Sequence, residues 1–208
     1  MPMVHTFKVV VLGDSGVGKT SLLTRLVKDE FRGAAATRST ISAAFVNKRI
    51  DVDGEAVNLE VWDTAGQERF RSLNTPMYYR GAAGAVVCYD ITDAESFEHV
   101  PGWYAQLQMM GERGVVVALC ASKLDLASDG GRNVLMADAA RFADNQNLAV
   151  FHETSAKTGE SVDELFATLA ASMLQRHQSG QGAFPETLCG KGVLKLGDGT
   201  KRRPHYCC

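Results

Sequence analysis

Apolar and polar positions follow two rhythms along this chain, short solid apolar runs and helical stripes, and the two take turns. Phe7 to Leu12 (FKVVVL) is a compact run that stops at Gly13, the pattern of a buried central strand. A helical stripe follows over Ser21 to Val27. Ala44–Val52 and Val57–Trp62 flank Asp53-Gly54, a hairpin-turn signal, so these two strands are expected to pair antiparallel. Ala85–Tyr89 and Val115–Ala121 read as buried strands, separated by one helix from about Ala94 to Gly111. Asn133–Asn145 reads as a helix and Leu148–His152 as the last strand. Val162–Gln175 closes the pattern as an amphipathic helix with Val162, Leu165, Phe166, Leu169 and Met173 on one face. The alternation predicts an α/β fold: a mostly parallel six-stranded sheet with one antiparallel strand and helices on both faces.

After about His177 the periodicity stops, and six glycines between positions 180 and 199 mark a flexible tail rather than a second domain. The expected organisation is therefore one domain over 1–177 and a tail over 178–208. Charge divides at the same place. Residues 1–177 carry 17 basic and 22 acidic side chains, a net of −5, whereas 178–208 carry five and two, a net of +3. A mildly acidic body with a basic end argues against a nucleic-acid binder and for a tail that meets an anionic surface. The longest apolar run, Val115 to Ala121, has seven residues, too few to span a bilayer. The opening Met-Pro-Met-Val-His has neither the apolar stretch of a secretory leader nor the glycine that myristoylation requires. Five cysteines without framework or zinc spacing imply a reducing compartment, and the five scattered histidines form no metal pair.

Gly13-Asp14-Ser15-Gly16-Val17-Gly18-Lys19-Thr20 matches G-x-x-x-x-G-K-[ST], placed between the first strand and the first helix. Glycines let consecutive backbone N–H groups of Ser15 to Thr20 turn around an anion, and the helix N-terminus points at the same spot. Lys19 would reach the β- and γ-phosphates, and Thr20 would offer a hydroxyl to Mg²⁺, with Ser21 beside it in the first helical turn. This is a nucleoside triphosphate site. Asp63, ending a strand, can hold Mg²⁺ through its water shell; Gly66 leaves a backbone N–H free for the γ-phosphate, and Gln67 can orient an attacking water.

WDTAGQERF (62–70), YYRGA (78–82) and YDIT (89–92) resemble the Rab branch of the Ras-like small GTPases, over residues 7 to about 175 in continuous order. The resemblance implies the P-loop NTPase fold of small G proteins and slow hydrolysis of GTP to GDP and phosphate. Lys19, Gly66 and Gln67 would form the catalytic set. It makes Thr40 the switch threonine that meets Mg²⁺ and the γ-phosphate, with Thr20 and Asp63 as its companions at the metal. Ile41 to Phe45 (ISAAF) is most similar to the early-endosomal subgroup. Ile41, Phe45, Trp62 and Tyr78 would meet effectors, the three aromatics as an exposed triad. In Glu153-Thr154-Ser155-Ala156-Lys157, the Ala156 N–H would bond the guanine O6 and Lys157 would cover the ring. The terminal Cys207-Cys208 resembles a doubly geranylgeranylated end; two chains anchor stably where one does not, and Lys201-Arg202-Arg203 adds basic charge. The implied partners are GTP and GDP, an exchange factor, an activating protein, effectors, and prenylation and GDI-type chaperones. The expected setting is a monomer on the cytoplasmic face of endosomal membranes, cycling with cytosol.

Three departures stand against this pattern. The base-reading motif, Asn-Lys-x-Asp in the family, reads Ser122-Lys123-Leu124-Asp125. Asp125 still accepts from guanine and Lys123 still stacks, but Ser122 loses an amide, which at about 1–3 kcal/mol threatens affinity rather than specificity. The aromatic expected seven residues before Thr40 is displaced to Phe31, nine before it, with a longer loop within Arg32–Ser39. Leu73-Asn74-Thr75-Pro76 is also one residue longer than usual. The rival reading is a non-cycling interaction module of the same fold with weakened nucleotide binding.

Overall fold

The structure, a computed structural model, describes residues 4–33, 44–63 and 76–180. Six strands, β1 (Val4–Leu12), β2 (Ala44–Val52), β3 (Glu55–Asp63), β4 (Ala82–Asp90), β5 (Val116–Ser122) and β6 (Val150–Glu153), form one sheet in the order β2-β3-β1-β4-β5-β6. Only the β2–β3 pair is antiparallel, closed by Asp53 and Gly54 at positive φ. β1 pairs parallel with β3 on one side and β4 on the other, and the β4–β5 and β5–β6 pairs are parallel too. The chain leaves β1 towards one edge of the sheet and later returns to the other, which opens a crevice at the carboxyl ends of the strands.

Period-two alternation sends β1 side chains to two separate cores. Val9 and Val11 pack with Leu22, Leu23 and Leu26 of α1 (Lys19–Lys28) and Leu165, Phe166, Leu169 and Met173 of the last helix. Val10 and Leu12 pack on the other face with Val100, Trp103 and Leu107, and with Ala139 and Ala143. Every β4 and β5 residue is buried, as strands covered on both faces must be.

The single helix expected over 94–111 is two: α3 (Ala94–Glu98) and α4 (Val100–Met110), with α2 (Pro76–Tyr79) before β4. Pro101 lacks the N–H that would bond back to the preceding turn, so it serves only in the first turn of a new helix, and the break falls at His99. Asp93 caps α3, its Oδ1 accepting from the Glu95 and Ser96 N–H groups. The helix expected from Asn133 starts later, as α5 (Met136–Asn145), because the N–H groups of Asn133 and Val134 are both committed to the Ile91 carbonyl. The last helix, α6, runs Val162–Gln178 and carries the predicted apolar face inward. No helix among the described residues is long and apolar enough to cross a membrane.

Candidate nucleotide-binding site

The loop from β1 to α1 is shaped by its glycines. A Cβ on Gly13, at φ +136°, would stand 2.3 Å from the Cys88 carbonyl oxygen, so no other residue fits there. Gly18, at φ 101°, turns the chain into α1, which starts with no side-chain cap and no acidic residue in its first turn. The first-turn N–H groups are thereby left to an anion. Lys19 is nearly buried (5% exposed), its ammonium donating to the Gly13 and Asp14 carbonyls at 2.9 and 2.7 Å. Val17 is buried as an anchor, while Ser15 and Gly16 are exposed at the loop's rim and Ser21 is half-buried behind it. From outside, the Trp103 indole N–H donates to Asp14 Oδ1 at 2.8 Å, and His99 Nδ1 lies 2.5 Å from Oδ2. This clamp ties the phosphate loop to α4, and no sequence motif announced it.

Parallel pairing of β1 with β3 sets Asp63 beside Val11, at the mouth of the same loop. The Thr20 hydroxyl donates to Asp63 Oδ2 at 2.7 Å, and Oδ1 is buried without a hydrogen-bond partner among the described residues. Burial pushes the Asp63 carboxyl above its ordinary range, opposed by the Thr20 bond and the Lys19 charge. An orphaned, desolvated carboxylate oxygen beside a hydroxyl fits a hydrated divalent cation. Among the described residues no group of three or more His, Cys, Asp or Glu gathers to hold a metal.

The carboxyl ends of β5 and β6 build a second wall. Ser122 ends β5 and is buried; its hydroxyl is 2.5 Å from the Val17 carbonyl and 2.8 Å from the Tyr89 carbonyl. The serine therefore tethers the phosphate loop to this wall through its hydroxyl. Lys123 follows at φ 63°, its ammonium 2.5 Å from Asp90 Oδ2. Asp90 in turn accepts from the Thr92 N–H and hydroxyl at 2.8 and 2.7 Å. Asp125 is oriented by the Ser155 hydroxyl at 2.6 Å, and Lys157 Nζ lies 3.6 Å from its other oxygen. The Leu124 N–H donates to Thr154 O and the Thr154 N–H to Ala121 O, which fixes the two loops to each other. Arg25 of α1 donates to the carbonyls of Ala156 and Lys157 at 2.7 and 2.8 Å. Neither Arg25 nor Asp90 was singled out from the sequence; Asp90 lies inside the YDIT motif, and Arg25 has no local signal.

Phe45 and Trp62 are cross-strand partners in β2 and β3, with ring centroids 5.6 Å apart, and Tyr78 follows at 6.5 Å from Trp62. Phe45 is 51% exposed, whereas Trp62 and Tyr78 are half-buried and pack against the core on that face of the sheet. Lys8 Nζ stands 4.8 Å over the Trp62 ring. Phe31 is exposed at 41%. Thr40, Ile41, Gly66, Gln67, Cys207 and Cys208 lie outside the described residues, as does most of each of the two loops expected to be longer.

The sequence model of the Ras family matches residues 8–175. The chain is 50% identical over 167 residues to GTP-binding protein ypt5 of Schizosaccharomyces pombe, covering 80% of this chain and 77% of that protein. It is 42% identical over 197 residues to human Ras-related protein Rab-4A, covering 95% and 86%. It is 44% identical over 172 residues to the putative ras-related protein Rab-5B of Dictyostelium discoideum, covering 83% and 77%.

Proposed function

Because the chain belongs to the Ras family, in its Rab branch, and is thus a GTPase of vesicular traffic, we propose that it switches between GTP and GDP states at endosomal membranes. One observation carries the reading. The phosphate loop with Lys19, the Thr20–Asp63 pair and the Asp125–Ser155 pair converge at a single carboxyl edge of the sheet.

In this reading the N–H groups from Ser15 to Thr20 hold the phosphates, and Lys19 exchanges its carbonyl partners for β- and γ-phosphate oxygens. Ras and Rab GTPases use Mg²⁺; Thr20 and Asp63 would hold it here, joined by Thr40 in the triphosphate state. When bound, the ion neutralises charge between the β- and γ-phosphates. Asp125 accepts from the guanine N1–H and exocyclic amine, the Ala156 N–H bonds the 6-oxygen, and the Lys123 and Lys157 stems cover the ring. Phe31 closes the base from its exposed position. Gln67 orients the attacking water, and the Gly66 N–H and Thr40 report the γ-phosphate to the surface that Ile41, Phe45, Trp62 and Tyr78 present to effectors. The motifs hold Arg69 and Arg80, neither of them cast in this reading as the finger that offsets charge developing on the transferred phosphoryl group, so an activating protein supplies that charge in trans. Lipid on Cys207 and Cys208 holds the switch at the membrane, and exchange factors and GDI-type chaperones govern its cycle.

The Gln67→Leu variant tests the chemistry: single-turnover GTP hydrolysis falls at least roughly ten-fold while GTP binding persists. Unchanged turnover would remove Gln67 from the mechanism. The Ser122 tether favours the cycling switch over the weak-binding module, because the phosphate loop and base wall remain joined.

A further inference from the structure

Arg25 lies outside every nucleotide motif, yet it makes the longest-range side-chain contacts at the base wall, across 131 and 132 residues of sequence. Its side chain is 14% exposed, and the guanidinium is used on every side. Nε donates to Ala156 O at 2.7 Å, one terminal nitrogen to Lys157 O at 2.8 Å, and the other to the Asp29 carbonyl and carboxylate, both at 2.8 Å. Asp29, in the left-handed region at φ 53°, ends α1 and holds that fork in place.

The peptide group is planar and trans, so fixing a carbonyl fixes the direction of the N–H at the other end of the same plane. Arg25 on Ala156 O aims the Lys157 N–H away from α1, and Arg25 on Lys157 O does the same for the Thr158 N–H, which donates to Ser155 Oγ at 3.1 Å. The plane before these is held from inside the loop, where the Gly159 N–H donates to Ser155 O at 2.8 Å and so turns the Ala156 N–H outward. The loop has no regular secondary structure of its own, and Gly159, at φ +91°, leaves room beside the Arg25 stem.

We propose that Arg25 is a positioning residue for base selection: by clamping the Ala156 and Lys157 carbonyls it fixes the two peptide planes that follow Ala156, and so holds the loop in the shape that presents the Ala156 N–H to the 6-oxo group of guanine. Six residues separate it from Lys19, about 9 Å along α1, so one helix would register the phosphate end of the nucleotide against its base end. The proposal rests on the reading of Ala156 as the 6-oxo donor.

The test compares three diphosphates on the full chain: GDP, 6-thio-GDP, which puts a poorer and larger acceptor at position 6, and IDP, which lacks only the 2-amino group. Wild type is expected to prefer GDP over 6-thio-GDP by about five-fold or more, the worth of one well-made hydrogen bond. Arg25→Gln should bring that ratio close to one and leave the GDP-over-IDP ratio, which Asp125 sets, unchanged. Arg25→Lys, which keeps the charge but not the fork, should fall between the two, and it supplies the same ratios if Arg25→Gln does not fold. A wild type indifferent to the 6-thio substitution would overturn the Ala156 reading and this proposal with it. A wild-type preference that survives in Arg25→Gln and Arg25→Lys would overturn the proposal alone. So would an equal fall of both ratios, since that is general loosening and not positioning.

Discussion

Replacing Ser122 with alanine removes one hydroxyl from the junction of the phosphate loop and the base wall. That hydroxyl carries a single proton and stands 2.5 Å from Val17 O and 2.8 Å from Tyr89 O. Only one of these bonds can be made at a time. The loss is therefore one net hydrogen bond together with a buried carbonyl left short of a donor, about 1–3 kcal/mol. For a domain of this size, at roughly 2–4 °C per kcal/mol, the melting temperature of GDP-loaded protein should fall by about 2–12 °C. If the tether acts mainly in the bound state, release of a fluorescent GDP analogue into excess unlabelled GDP should speed up roughly 5- to 150-fold. Ser122→Asn restores an amide of the family's type and should release no faster than wild type. An alanine variant with unchanged melting and unchanged release would refute the tether, and with it the argument that serine serves at this position.

Two further substitutions probe the site and the surface. Gly13→Ala forces a Cβ to 2.3 Å from the Cys88 carbonyl in a left-handed conformation, so the purified variant should carry no nucleotide; stoichiometric GDP after purification would contradict that. Phe45→Ala trims a ring that is 51% exposed, so melting should shift by less than about 2 °C while proteins captured only by the GTP-loaded form are lost. A large destabilisation would make Phe45 a packing residue instead.

Local patterns made much of this molecule legible. Solid apolar runs located β1, β4 and β5 because strands buried on both faces have little room for polar residues, and the Asp53-Gly54 turn located the β2–β3 hairpin. The phosphate loop was readable because its chemistry needs glycine and lysine at fixed spacing within eight residues. What stayed hidden was set by tertiary partners. Pro101 was in plain sight, yet the apolar stripe ran through it, and only the break at His99 brings both His99 and Trp103 onto Asp14. The late start of α5 depends on the Ile91 carbonyl, and the role of Arg25 depends on carbonyls 131 residues away. Nor does the local sequence show that the Ser122 hydroxyl, though shorter than an amide, stands within reach of two carbonyls across the loop.

The central claim is that this edge of the sheet holds a guanine nucleotide with Mg²⁺. Titration of nucleotide-free protein with GTP, GDP and ATP, with and without Mg²⁺, tests it most directly. The account predicts tight GTP and GDP binding that weakens when Mg²⁺ is withdrawn, with ATP excluded because adenine offers Asp125 no N1–H. Weak guanine binding indifferent to Mg²⁺, or ATP binding as tight as GTP, would contradict it.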